Sequence, residues 1–149
     1  MARTRDIAAL KEIAELRAAQ QTAAGLQASV AGVELRDLEA RADRTETQLE
    51  IGQTAWAQAL RRAPLRLELV RTWSTLVLQK EEELQSIGFH VDEAKTNLSR
   101  KSEAWKDAKA RQDCAEAVFK AAIRRRKRQQ EEFAVSLAAD AFLHRRGQP

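Results

Sequence analysis

The chain has 149 residues, of which 28 are alanine, and Glu, Gln, Lys, Arg and Leu supply most of the remainder. These residues are the strongest helix formers, and only two prolines and five glycines interrupt them, so the composition predicts long helices or coiled coil, not an ordinary globular domain. No run of 18 or more apolar residues is present, Cys114 has no cysteine partner, and the N-terminus does not read as a secretory signal. We therefore expect a cytoplasmic protein.

The formal net charge of +4 is unevenly distributed. Residues 1–63 carry nine basic and nine acidic side chains, and residues 64–123 carry ten of each. Residues 124–149 carry seven basic and three acidic side chains, so the whole excess lies at this end. A well-mixed surface would not produce this pattern, which indicates a distinct role for the C-terminal segment.

The first predicted helix spans about residues 4–62. Apolar or small residues recur along it every seven positions, with a companion row three places further on, which is typical of helices that pack side by side. The rows contain Ile7, Ala14, Ala28, Leu35, Ala42, Leu49 and Trp56, and Leu10, Ala24, Ala31, Leu38 and Ala59, interrupted by Arg17, Gln21, Thr45 and Gly52. Gly25 and Gly32 predict a kink or a looser stretch, because each costs about 1 kcal/mol of helix propensity relative to alanine.

The stretch Arg61-Arg62-Ala63-Pro64-Leu65-Arg66 holds the only proline before the last residue. Proline breaks a helix interior at a cost of about 3 kcal/mol and disfavours helical backbone at the preceding residue. It suits the first turn of a new helix, where its missing N–H would be unpaired anyway. We therefore predict a turn at about residues 62–65 and a second helix over about 65–144.

The second helix repeats the seven-residue pattern with larger side chains. Its rows contain Val70, Val77, Leu84, Val91, Leu98, Trp105 and Phe119, and Trp73, Ile87, Ala94, Ala108, Ala115 and Ala122, interrupted by Lys80, Lys101 and Gln112. Gly88 is an alternative position for the turn between the helices. The seven-residue spacing continues without a shift on both sides of it, so we interpret it as a glycine within the helix. Trp56 and Trp105 fall on the rows and are predicted to be core.

Periodicity alone allows two arrangements, because the seven-residue spacing also continues without a shift across Pro64. One kinked rod would need a second chain along its length, as in a structural coiled-coil homodimer. A short connection favours antiparallel neighbours, and a hairpin needs no partner. We therefore predict an all-α fold, a single coiled-coil domain over residues 1–149, in which two long helices form an antiparallel hairpin. A turn centred on residue 63 pairs residue i with residue 126 − i and leaves the residues after Ile123 as a C-terminal helical overhang.

The overhang begins with the basic run Arg124-Arg125-Arg126-Lys127-Arg128. Phe133, Leu137, Ala141 and Phe142 follow it and are predicted to line one face of the helix. The run could bind nucleic acid through phosphate neutralisation, an anionic membrane surface, or a protein socket with acidic residues. Charge alone does not decide between these partners, although no nucleic-acid-binding motif accompanies the run.

Sequence motifs for catalysis are absent. His90 and His144 are far apart in sequence, no cluster has zinc-ligand spacing, and no glycine-rich phosphate loop or nucleophile motif occurs. We expect a protein that is not an enzyme and that uses no metal, cofactor or small-molecule substrate.

Near the turn, Trp73 lies among Leu65, Leu69, Leu76 and Val77; this apolar tip is either core or a partner contact.

Part of the second helix resembles the stalk proteins of type III secretion systems, the YscO/FliJ-like family. The resemblance covers the stretch from Lys80-Glu81-Glu82-Glu83-Leu84 to Arg100-Lys101-Ser102-Glu103-Ala104-Trp105-Lys106, the basic run, and Gln129-Gln130-Glu131-Glu132. Length, two long helices and a basic, Gln/Glu-rich end match over nearly the whole chain. The resemblance implies an antiparallel coiled coil similar to the central shaft of rotary ATP synthases. The glycines at 25, 32 and 52 depart from the family pattern.

The resemblance also implies partners. The terminal end would lie in the pore of the hexameric secretion ATPase and the tip would meet the cytosolic ring of the export gate, with secretion chaperones as a further class of partner. The ATPase contacts implied are Arg124, Arg125, Arg126, Lys127, Arg128, Phe133 and Leu137. The export-gate contacts implied are Leu65, Leu69, Trp73 and Leu76. The expected location is cytoplasmic, peripheral to an inner-membrane secretion apparatus.

Overall fold

Two helices account for nearly all of the computed structural model, which describes residues 4–147 and the side chains from Asp6 onward. Helix α1 spans Thr4–Arg61 and helix α2 spans Leu67–Arg146, and no β-strand occurs in this described range. The helices pack as an antiparallel coiled-coil hairpin with a C-terminal helical overhang, which confirms the predicted fold class.

The connection between the helices begins at Arg62, and α2 begins two residues later than predicted. Both Leu69 N–H and Val70 N–H donate to the carbonyl oxygen of Arg66, at 3.1 and 3.2 Å, so the first hydrogen bonds of α2 start from that carbonyl. Pro64 therefore lies inside the turn and not in the first turn of α2, and the Ala63–Pro64 peptide bond is cis.

The predicted seven-residue rows are the inner face of the hairpin. Every described row position is buried or half-buried, including the polar ones. The least exposed apolar side chains are Ala31, Ala59, Val77 and Ile87, at 2–5% exposure. Thr45, a polar interruption in the rows, is also buried, with 3% of its surface exposed. The seam is therefore continuous but thin, with most of its side chains only half-buried.

Two polar interruptions of the seam, Lys80 and Lys101, have partners beside them. Lys80 Nζ lies 2.9 Å from Glu83 Oε2, and Arg41 Nη2 lies 3.3 Å from Glu83 Oε1, so one carboxylate joins both helices. Lys101 Nζ donates to Gln27 Oε1 at 3.2 Å across the helix pair. Long amphipathic side chains thus cover the seam with their stems and keep their charges at its edge.

Residue contacts divide the chain into two compact units, Gly25–Glu103 and Met1–Ala24 with Ala104–Pro149. The predicted single coiled-coil domain stays a prediction. Helix α1 runs without interruption through Gly25 and Gly32, and α2 does so through Gly88, so none of the three glycines ends a helix.

Pairing within the unit Gly25–Glu103 differs from the predicted register. A Cβ at Gly52 would lie 3.4 Å from Val77 Cγ2, whereas a turn centred on residue 63 would place Gly52 opposite Ser74. The Gln27–Lys101 hydrogen bond is shifted in the same direction, whereas the long side chain of Arg41 reaches Glu83, two residues the other way from its predicted partner position. The prediction was wrong by two to three residues, because the turn occupies residues 62–66 and is centred on Pro64.

The other unit contains the far ends of both helices. Here α1 side chains from Lys11 to Ala18 and α2 side chains from Gln112 to Ile123 line a shared groove of about 520 Å³. Arg126 is the last half-buried position on α2, and every described residue after it is exposed. The overhang therefore begins about three residues later than predicted.

Candidate partner-binding surfaces

The exposed C-terminal part of α2, residues 127–146, carries large apolar side chains in the open. Phe133 is 69% exposed, Leu137 58% and Phe142 60%. Sequence reasoning missed Val135 and Leu143, which are 69% and 65% exposed. We call residues 127–146 the overhang.

Between Phe133 and Leu143, apolar residues lie on all sides of the overhang and do not form one face. At about 100° per residue, Leu137 and Ala141 lie within about 80° of Phe133, but Phe142 lies on the opposite side of the helix. The predicted single apolar face is therefore wrong. Asp140 is the only charged residue between positions 133 and 143. A helix that is apolar all round is typical of one enclosed by other elements, and no described residue encloses this one.

The basic run occupies the junction between the paired helices and the overhang. Arg124, Arg125, Lys127 and Arg128 are exposed, and Arg126 is half-buried. Lys127 Nζ lies 3.9 Å from Glu131 Oε1, and no other described side chain forms an ion pair with the run. Its four arginines consequently keep their charge available to a partner.

The four residues predicted to contact the export gate are only partly exposed. Leu65 and Leu69 are exposed at 51% and 38%, while Trp73 and Leu76 are half-buried. The two half-buried residues take part in the seam and also line an open groove of about 600 Å³ on α2. Its lining is Arg71, Thr72, Trp73, Thr75, Leu76 and Gln79. Trp73 is therefore partly packed and partly available.

Sequence reasoning missed two further leucines and a group of arginines at this end. Leu60 is 51% exposed and Leu67 is 73% exposed. Arginines at positions 61, 62, 66 and 71 surround them, with Glu68 as the only acidic residue of the segment. The signal was present in the sequence, but a charge count that divides the chain at residue 63 separates these arginines into two balanced halves.

The remaining candidate residues lie on the seam or singly on the surface. Trp56 and Trp105, which were predicted to be core, lie on the seam and are half-buried. The Nε1 atom of Trp56 is buried without a hydrogen-bond acceptor in the described part of the chain. Cys114 is exposed. Within residues 4–147, no group of three or more His, Cys, Asp and Glu side chains is placed to hold a metal ion. None of the described helices has a stretch that is long and apolar enough to cross a membrane.

Comparison of the chain with protein-family models, with curated proteins and with solved structures finds no match.

Proposed function

We propose that this protein is a non-enzymatic central stalk of a type III secretion apparatus, which links the hexameric secretion ATPase to the export gate. Two observations support it, the sequence resemblance and the form of the C-terminal end. The paired hairpin ends in an unpaired helix that carries apolar side chains on all sides over residues 133–143, with a run of five cations at its base. An exposed helix of this kind needs a partner that encloses it.

The central pore of a ring-shaped ATPase meets that requirement. A pore contacts an inserted helix on all sides, so it can cover Phe133, Leu137 and Phe142 together although they do not share a face. Acidic residues at the rim of the pore would complement Arg124 to Arg128, which lie at the base of the overhang. Burial of aromatic and aliphatic anchors with a charged rim is the usual arrangement of a specific protein interface.

The turn end supplies the second contact of the proposed stalk. Leu65 and Leu69 are exposed there, and Trp73 and Leu76 border the groove on α2. In the proposal these four side chains meet the cytosolic ring of the export gate, and the protein is cytoplasmic and peripheral to the inner-membrane apparatus.

Charge reversal tests the ATPase contact. The variant R124E/R125E/R128E should lose binding to the secretion ATPase encoded in the same genome, measured with immobilised full-length chain. The matched variant R61E/R62E/R66E reverses three arginines at the turn and should bind the ATPase as the unmodified chain does. Circular dichroism checks that both variants remain helical. Unchanged binding of R124E/R125E/R128E would contradict the assignment.

A second candidate function uses the same basic run to bind nucleic acid or an anionic membrane. The observation that favours it is that five consecutive cations point around the whole circumference of α2, as they would for wrapping by a polyanion. Affinity for DNA or for anionic vesicles should then fall steeply as salt rises, and should fall in R124E/R125E/R128E. Absence of binding at low salt rejects this candidate.

A further inference from the structure

We propose that the turn end of the hairpin binds the surface of an anionic lipid bilayer. The segment concerned is residues 60–73, which we call the tip. It contains the end of α1, the turn and the first two turns of α2. This proposal concerns lipid headgroups and acyl chains and requires no ATPase. It assigns Leu65, Leu69 and Trp73 to a membrane surface, where the proposed function assigns them to the export gate.

The charge of the tip fits an anionic surface. The segment contains four arginines and one acidic residue, so it carries a formal charge of +3. These residues are Arg61, Arg62, Arg66, Arg71 and Glu68. No described side chain forms an ion pair with any of these arginines, whereas Arg41 and Lys80 nearby both have a carboxylate partner. The positive charge of the tip is therefore not neutralised within the molecule and can attract phosphate headgroups.

Exposed leucines accompany these arginines. Leu60, Leu65, Leu67 and Leu69 are 51%, 51%, 73% and 38% exposed, so four large apolar side chains of the tip are open to solvent beside its arginines. Interfacial elements bury such side chains about 5–10 Å into the boundary between headgroups and acyl chains. Arginine stems are long enough to follow the leucines into that layer while their guanidinium groups stay at the phosphates.

Trp73 lies at the distance expected for the interface. Four residues of α2 separate it from Leu69, which corresponds to about 6 Å along the helix axis. If the leucines enter the acyl boundary, the indole is at the level of the headgroups, where tryptophan is enriched in membrane-contacting proteins. Its half-buried position beside an open groove leaves part of the ring available for this contact.

The arrangement of the leucines favours a lipid surface over an acidic protein groove. Leu65 lies in the turn and not in α2, and Leu67 and Leu69, which are two residues apart on α2, do not share one face of the helix. A groove on a protein binds apolar side chains that are aligned on one face of a helix at helical spacing. A fluid bilayer accepts apolar side chains that are distributed over a turn and its flanks.

Vesicle binding by the full-length chain tests the proposal. The chain should co-sediment with vesicles of phosphatidylcholine and phosphatidylglycerol but not with vesicles of phosphatidylcholine alone, and added salt should release it. Each arginine near an anionic surface contributes about fivefold to the affinity, so R61Q/R62Q should bind these vesicles about 25-fold more weakly. The matched variant R124Q/R125Q also removes two adjacent arginines and should retain the affinity of the unmodified chain.

Tryptophan fluorescence provides a second readout that reports insertion. In a W56F/W105F background only Trp73 emits, and its emission should shift to the blue on mixing with anionic vesicles. The shift should be lost in L65S/L67S, which keeps all four tip arginines. No vesicle binding at low salt, or equal loss in R124Q/R125Q and R61Q/R62Q, would overturn the proposal; the former result would leave an acidic protein surface as the partner of the tip. Binding of the secretion ATPase is measured separately, so a failure of vesicle binding does not bear on the proposed ATPase contact.

Discussion

Ile87→Ala is the substitution that tests the thin seam most severely. Ile87 is 2% exposed and is the least exposed of the few buried side chains. Truncation to alanine removes three carbon atoms, which corresponds to about 2.4 kcal/mol at about 0.8 kcal/mol per buried methylene. A cavity adds to this cost, but two helices can close part of the space, so we expect a loss of about 2–3 kcal/mol in the free energy of unfolding.

The assay is thermal and urea unfolding followed by circular dichroism, with Leu78→Ala as the matched control. Leu78 lies nine residues earlier on α2 and is 60% exposed, so its truncation should change the free energy of unfolding by less than about 0.5 kcal/mol. At about 3 °C per kcal/mol, Ile87→Ala should lower the Tm by about 6–9 °C. A loss below about 1 kcal/mol for Ile87→Ala, or an equal loss for Leu78→Ala, would refute the seam described above.

Two further predictions concern single positions of α2. Gly88→Ala should raise the free energy of unfolding by about 1 kcal/mol in the same assay, since an added Cβ would meet no atom within 4 Å and alanine is the better helix former; a destabilised variant would contradict the helical, open position. Hydrogen bonds from Lys80 and then Arg41 lower the pKa of Glu83, so its stabilising contribution is present at neutral pH and is lost as the pH falls through the lowered pKa. Glu83→Gln should therefore lower the Tm at pH 7, and the difference from the unmodified chain should close on acidification; a difference that is independent of pH would show that the carboxylate charge is not responsible.

The fold could be predicted from the sequence because the seven-residue pattern and the position of one proline indicate it. The seven-residue rows identify the seam positions, including the polar members Thr45 and Lys101, since helical spacing determines which side chains face the partner helix. Proline placed the corner correctly. The register was wrong by two to three residues, because the residue at which α2 starts depends on the Arg66 carbonyl accepting its first hydrogen bonds, and no propensity scale resolves that.

The candidate surfaces were predicted less completely than the fold. Charge counting found the basic run, but it missed the arginines of the tip, which flank the division chosen at residue 63. Spacing placed Phe133 and Phe142 on one face, whereas nine residues of helix separate them by about half a turn. Exposure of Leu67 and Val135 could not be read from hydrophobicity, because it depends on where the partner helix ends.

In the proposed function, the secretion ATPase encloses the overhang. Hydrogen–deuterium exchange on the full-length chain tests this contact, because exchange rates report local opening segment by segment. Without the ATPase, amides of residues 127–146 should exchange faster than those of the paired helices; with the ATPase hexamer, they should become protected while residues 60–76 remain unchanged. Exchange at residues 127–146 that the ATPase does not alter, or protection confined to residues 60–76, would contradict the proposed contact.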